Sequence, residues 1–136
     1  MIEMNLGIAE RAARAALEKA ATMNLAITVS VVDEAGRIVL TMRGDRTGFF
    51  TTDTSRAKAV AAAAFKRPTR DLVELQKTNP VFWNAVPTIS RSELLPSTGA
   101  VPIILSGRVI GAIGIGGGTP EQDHDCAAAG AAATLV

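Results

Sequence analysis

Residues 111–119 read G-A-I-G-I-G-G-G-T and run without a break into Pro120, Glu121, Gln122 and Asp123, then into an alanine-rich stretch. The pattern is a strand that ends in glycines and turns at once into a helix. Thr119 fits the N-cap, Pro120 fits the first helical position, where its missing N–H removes nothing, and Gln122 completes a capping box. Gly116, Gly117 and Gly118 bare backbone amides at the positive end of the helix dipole, an arrangement that receives an anionic or planar ligand edge. The same glycines also serve for positive φ and for close strand-to-helix packing. No lysine follows them, so the triphosphate-loop pattern is missing. Gly111, Gly114 and Gly117 stand in the wrong register for a dinucleotide fingerprint. Glu121, Asp123 and Asp125 already place negative charge in the first turns of the helix, which favours a carboxylate or a neutral polar ligand over a highly charged phosphate.

Upstream of this stretch, residues 101–105, a Ser106-Gly107 turn and residues 108–115 form a hairpin. Residues 25–32 and 37–42, joined by Asp33-Glu34-Ala35-Gly36, form another. A glycine-bearing loop and an alanine-rich helix follow each hairpin, first within residues 25–65 and again within 101–134. The doubled pattern predicts an antiparallel sheet with helices packed on it, an α+β sandwich. Residues 3–22 form a first helix with an apolar stripe of Leu6, Ala9, Ala13, Leu17 and Ala20, ended by a left-handed Asn24. Hydroxyl residues 51–54 cap a second helix, which runs to about Phe65 and buries Ala57, Val60, Ala61, Ala64 and Phe65. Arg67-Pro68-Thr69 breaks it, and Thr69 caps a short helix through about Lys77. Residues 81–87 form one helical turn or an irregular segment. Residues 90–99 read as a loop of the kind that often covers a site, with a short edge strand near 88–91.

At 136 residues the chain, residues 1–136, is expected to form one domain, long enough to bury ~68% of its unfolded surface. It is 48% hydrophobic and 20% charged, with a net charge of +1, so nothing marks it as a nucleic-acid or membrane binder. No apolar run reaches the ~18 residues of a membrane span, and Met1-Ile2-Glu3-Met4 lacks the marks of a secretory signal. A single cysteine, Cys126, excludes an internal disulfide and fits a reducing cytoplasm. Alanine-rich helices pack closely on a sheet or on another subunit, so a homo-oligomer is expected.

His124 is the only histidine. Asp123 and Asp125 beside it favour its protonated form, and an imidazole there is a candidate axial ligand for a haem iron, or else a solvent-facing residue on a polar helix start. No zinc or other metal set is present, because one histidine and one cysteine two residues apart on a helix cannot converge on one ion. Cys126 fits a small core hydrophobe, since the only histidine lies roughly 200° around the helix from it. Lys58, flanked by alanines, is either a solvated helix residue or a cation whose charge apolar neighbours would disfavour. Arg43, at a strand end before Gly44, is a fork for a carboxylate, and neighbouring hairpins would bring it to the same sheet edge as residues 116–118. The Arg43-Gly44-Asp45 triplet is of a kind that arises by chance and carries no adhesion argument.

Taken together, the alanine-rich first helix, V-V-D-E-A-G-R at 31–37, M-R-G-D at 42–45, S-R-A-K-A at 55–59, F-K-R-P-T at 65–69, V-P-I at 101–103 and the stretch at 111–123 resemble the haem-degrading/GlcG/HbpS-like family, which includes the C-terminal domains of PduO-type proteins. The resemblance covers nearly the whole chain. It implies a profilin-like α/β sandwich with a central antiparallel sheet flanked by helices, frequent oligomers, and haem or corrinoid handling in some members. Two positions depart from the family pattern. Gly99-Ala100-Val101-Pro102 keeps one glycine where the family has two, and Gly116 replaces a serine that would offer a ligand a hydroxyl.

Three readings follow. In the first the chain is a binding module that holds haem, a corrinoid or a small carboxylated molecule with Arg43, Lys58, Gly99, Gly116, Gly117, Gly118 and His124. In the second it is a cofactor-independent enzyme acting on a small carboxylated or hydroxylated substrate, with Lys58 or Asp123 moving a proton and the loop amides stabilising an oxyanion. In the third it is a structural subunit without a small ligand.

Overall fold

The computed structural model describes residues 2–134; residues 1, 135 and 136, which the single-domain expectation includes, lie outside them. The elements run α1 (Leu6–Thr22), β1 (Thr28–Asp33), β2 (Ile38–Arg43), α2 (Thr51–Phe65), α3 (Thr69–Thr78), α4 (Pro80–Ile89), β3 (Ala100–Leu105), β4 (Arg108–Gly116) and α5 (Pro120–Ala132). The strands form one antiparallel sheet in the order β2-β1-β4-β3. The α+β sandwich expected from the two hairpins is therefore the architecture observed. Among the described residues no helix is long and apolar enough to cross a membrane.

Alternation along the strands divides the core in two. Val29, Val31, Ile113 and Ile115 face α1 and α5, whereas Val32, Ala100 and Ala112 face Ala59, Ala62 and Ala63 of α2. On the α2 side the sheet also carries hydroxyls. Ser30 Oγ lies 2.8 Å from Ser55 Oγ, and Thr28 Oγ1 lies 2.8 Å from Thr51 Oγ1. This explains why α2 has no side-chain cap although hydroxyl residues crowd its start: its N-cap is Phe50, and Thr51 and Ser55 bond to β1 instead.

Two apolar stripes differ from expectation for physical reasons. In α1 the buried residues are Ile8, Ala9, Ala12, Ala13, Ala16 and Ala20, while Leu6 is 55% exposed; the helix turns its smallest side chains inward because α5 lies close against it. In α2 nearly the whole circumference is covered, since Ala59, Ala62 and Ala63 meet the sheet and Ala61 meets Leu72, Trp83 and Val86 of α3 and α4. Ala64, expected inside, is exposed, and Val60 and Phe65 are half-buried. Residues 80–89 form a full helix rather than one turn, and no strand forms at 88–91. Thr69 does not cap α3, whose N-cap is Pro68. Its hydroxyl accepts from the Ala100 amide at 3.0 Å and donates to the Ala100 carbonyl at 3.3 Å, tying α3 to β3.

Close approach of α1 to α5 is set at Gly130, where an added Cβ would lie 2.7 Å from the Ala12 carbonyl oxygen. Alanine is favoured over glycine in a helix interior by about 1 kcal/mol, but forcing a methyl group into this contact costs about 1–3 kcal/mol. Gly130→Ala is therefore expected to lower the melting temperature in a thermal denaturation experiment, despite its better helix propensity. A higher melting temperature would show that the two helices yield at this point.

Candidate functional site

The junction of β4 and α5 is built as its sequence predicts. The Gln122 amide donates to Thr119 Oγ1 at 3.2 Å, and the Thr119 amide donates to Gln122 Oε1 at 3.0 Å, so both halves of the capping box are present with Pro120 just inside the helix. Gly117 has φ +125°, in the region that favours glycine. Two amides of the turn, those of Gly118 and Thr119, already have internal acceptors. Asp123 Oδ1 accepts from the Gly118 amide at 2.8 Å, and Asp123 Oδ2 accepts from Lys58 Nζ at 3.1 Å. Lys58 Nζ also donates to the Ile115 carbonyl at 2.9 Å.

Lys58 is thus neither solvated nor set against apolar surface. It is 8% exposed and reaches from α2 around the end of β4 to a carboxylate on α5. Gly99 permits this, because a Cβ there would lie 2.9 Å from Lys58 Nζ; its carbonyl also accepts from the Ile115 amide at 2.9 Å. Burial holds the Asp123 carboxyl above its ordinary range, although Lys58 and the Gly118 amide pull it down. Gly116 abuts Thr51 and Thr54 of α2, and Gly118 abuts Leu25, Gln122 and Asp123. Arg43 shares this end of the sheet, since it and Gly116 both pair with Thr28. Two strand spacings put their backbones about 10 Å apart. Its exposed guanidinium donates to the Thr47 carbonyl at 3.3 Å.

His124, the next residue after Asp123, looks elsewhere. It lines a groove of about 460 Å³ whose walls include Val101, Pro102 and Ile104 of β3 and Ala128 and Ala131 of α5, with Lys66, Arg67 and Arg70 beside it. The imidazole is 7% exposed, and its Nδ1 is buried without a hydrogen-bond partner. Its protonated form is disfavoured, contrary to the expectation drawn from Asp123 and Asp125. Burial, and then the Arg70 guanidinium, push its pKa down, outweighing Asp125, Glu121 and Asp71. A neutral ring with an unengaged nitrogen is the form that ligates a metal. Cys126 is an inert core residue, its thiol pushed up to about 11, first by burial. A larger cleft of about 540 Å³ lies between the end of α1 and residues 44–46, lined by Ala20, Asn24, Ala26 and Gly44 among others, with no orphaned buried side-chain polar atom among the described residues.

Lys66, Arg67 and Arg70 were not among the candidate site residues, since the sequence offered residues 65–69 as a family motif and Arg67-Pro68-Thr69 as a helix breaker. Three cations within residues 66–70 were the available signal.

A three-layer sandwich of this topology, with small residues at its helix contacts and a groove beside its last helix, defines the class. The model of the family described as haem degrading protein HbpS-like matches residues 4–132, and the chain belongs to that family. It is 32% identical over 121 residues to an uncharacterised 15.0 kDa protein of the dhaT-dhaS intergenic region in Citrobacter freundii, covering 89% of this chain and 84% of that one. A double mutant of Streptomyces reticuli HbpS is similar in structure, with a TM-score of 0.87 and 31% identity over 97% of this chain and 87% of that chain. The crystal structure of a PduOC–haem complex is also similar, with a TM-score of 0.87 and 26% identity over 97% and 95%.

Removing one member of a buried ion pair leaves the other charge uncompensated, at about 3–5 kcal/mol. Lys58→Ala and Asp123→Ala are each expected to destabilise by that order in urea denaturation. The double variant should lose markedly less than the sum, since the two share one interaction. Additive losses would show that the pair is not coupled.

Proposed function

We propose that this chain is a single-domain haem-binding protein, with His124 as the iron ligand and the groove between β3, α5 and residues 66–70 as the seat of the macrocycle. One observation carries the reading: a buried, neutral imidazole whose Nδ1 has no partner lines an apolar groove. An unsatisfied buried polar group calls for an explanation, and an absent ligand supplies one. A similar PduOC chain binds haem, which supports the choice of ligand. Haem iron, when bound, supplies redox and oxygen chemistry set by its axial ligand and pocket polarity. The chain itself contributes a neutral nitrogen donor and apolar walls that exclude water from it.

Residues at the β4–α5 junction take a supporting part in this reading. Asp123, Lys58, Gly99, Gly116, Gly117 and Gly118 fix the start of α5 and thereby aim His124, while Arg43 flanks the same end of the sheet. The enzyme alternative is less well supported, because Lys58 and Asp123 neutralise each other and the Gly118 amide already has an acceptor. A corrinoid fits less well than haem, since its periphery bears mostly neutral amides and the groove's rim is cationic.

Titration with haemin is expected to give a shifted, saturable Soret band. His124→Ala should abolish that shift or weaken binding at least tenfold, with an unchanged far-UV circular dichroism spectrum. A Soret shift that His124→Ala leaves intact would remove the histidine from the site.

A further inference from the structure

We propose that the head of α3 is a carboxylate-binding subsite of the His124 groove, formed by Lys66, Arg67 and Arg70 around an uncapped first turn, and that it selects flat apolar ligands bearing acid groups. The inference rests on the groove being the ligand's seat, but it does not depend on iron.

α3 is a ten-residue helix whose N-cap is Pro68, with no side chain bonded to its first amides. Its natural capping hydroxyl, Thr69, is engaged on both sides of Ala100. The positive end of the dipole is therefore left to other partners. Lys66 ends α2 in a left-handed conformation, φ +56°, and this reversal carries Lys66 and Arg67 to the point where α3 begins. Pro68, Arg67 and Arg70 line the groove. Arg67 pairs with Asp71 at 3.6 Å, with both side chains largely exposed, which holds it weakly. Lys66 and Arg70 form no ion pair among the described residues.

The second observation lies within the same groove. His124 stands in the groove wall, 7% exposed and with its Nδ1 buried and unpartnered, beside the open helix start. The apolar walls require a ligand with an apolar body, and the small Ala128, Ala131 and Ala132 leave a flat one room. A guanidinium fork matches a carboxylate in two parallel hydrogen bonds. Asp71 in the first turn of α3 disfavours a dianionic phosphate at the same place.

The test uses the full chain, with metal-free protoporphyrin IX and its dimethyl ester as probes, followed by fluorescence titration. The diacid is expected to bind at least tenfold more tightly than the ester, and added salt should narrow the difference. Arg70→Ala and Lys66→Ala should each weaken the diacid severalfold and leave the ester unchanged, with Arg70→Lys recovering part of the loss; both positions are exposed, so the fold is preserved. Equal affinities for the two probes, equal loss of both in the variants, or no binding of either would overturn the subsite. Haemin binding through His124 with indistinguishable metal-free probes would overturn the subsite alone. Acid-selective binding without a His124-dependent Soret shift would overturn iron ligation alone.

Discussion

The Lys58–Asp123 pair holds three elements at one point. Lys58 belongs to α2, its second acceptor is the Ile115 carbonyl one residue before the end of β4, and Asp123 lies in the first turn of α5. α2 lies on one face of the sheet and α5 on the other, so the pair clasps the two outer layers around the strand end. Desolvating two charges is expensive, and what offsets it here is hydrogen bonding: the carboxylate accepts from the Gly118 amide as well as from the ammonium, and the ammonium donates to a carbonyl as well as to the carboxylate. A hydrophobic substitute of similar volume could fill this space, but it would leave the Gly118 amide and the Ile115 carbonyl without these partners.

Close approach of backbones is the second requirement, and small residues meet it on both faces. At Gly114 an added Cβ would collide with the Ser55 carbonyl of α2, and at Gly130 it would meet Ile113 and Ala12. The alanine faces of α1, α2 and α5 bring helix axes near the sheet and each other, so that close contact makes up in dispersion for what small side chains lack in area. The lysine can reach across the sheet end only because Gly99 leaves its path open.

Local signals were legible in the sequence and distant pairings were not. The capping box at Thr119, the positive-φ turn at Gly36 and both hairpins follow from residues adjacent in the chain, and all appear as expected. Lys58 and Asp123 stand 65 positions apart, so nothing near either one announces the other. The buried face of α2 was misjudged because a one-sided stripe presumes one packing partner, and this helix has two. The same limit applies to His124. Its neighbours in the chain are acidic, but Asp123 turns inward to Lys58, and the charge that faces the ring with most effect is Arg70, from a different helix. Thr69 illustrates the converse: a hydroxyl at a helix start reads as a cap until a strand end competes for it.

Helical geometry then links the clasp to the groove. One residue along an α-helix is a rotation of about 100°. With Asp123 fixed toward Gly118 and Lys58, His124 has to project to the side, and Ala128 and Ala131 fall on the same stripe at the spacings that share a helix face. That stripe lines the groove, while Cys126, Ala127 and Gly130 occupy the inward face. The direction of the histidine is thus a consequence of the ion pair, and a lysine on the far side of the sheet governs a ring that it never touches. The groove's other wall depends on a second side chain-to-backbone tie of the same kind, Thr69 to Ala100, which sets the head of α3 beside β3. Its cations and its imidazole are held by separate anchors, so each wall can be perturbed without moving the other.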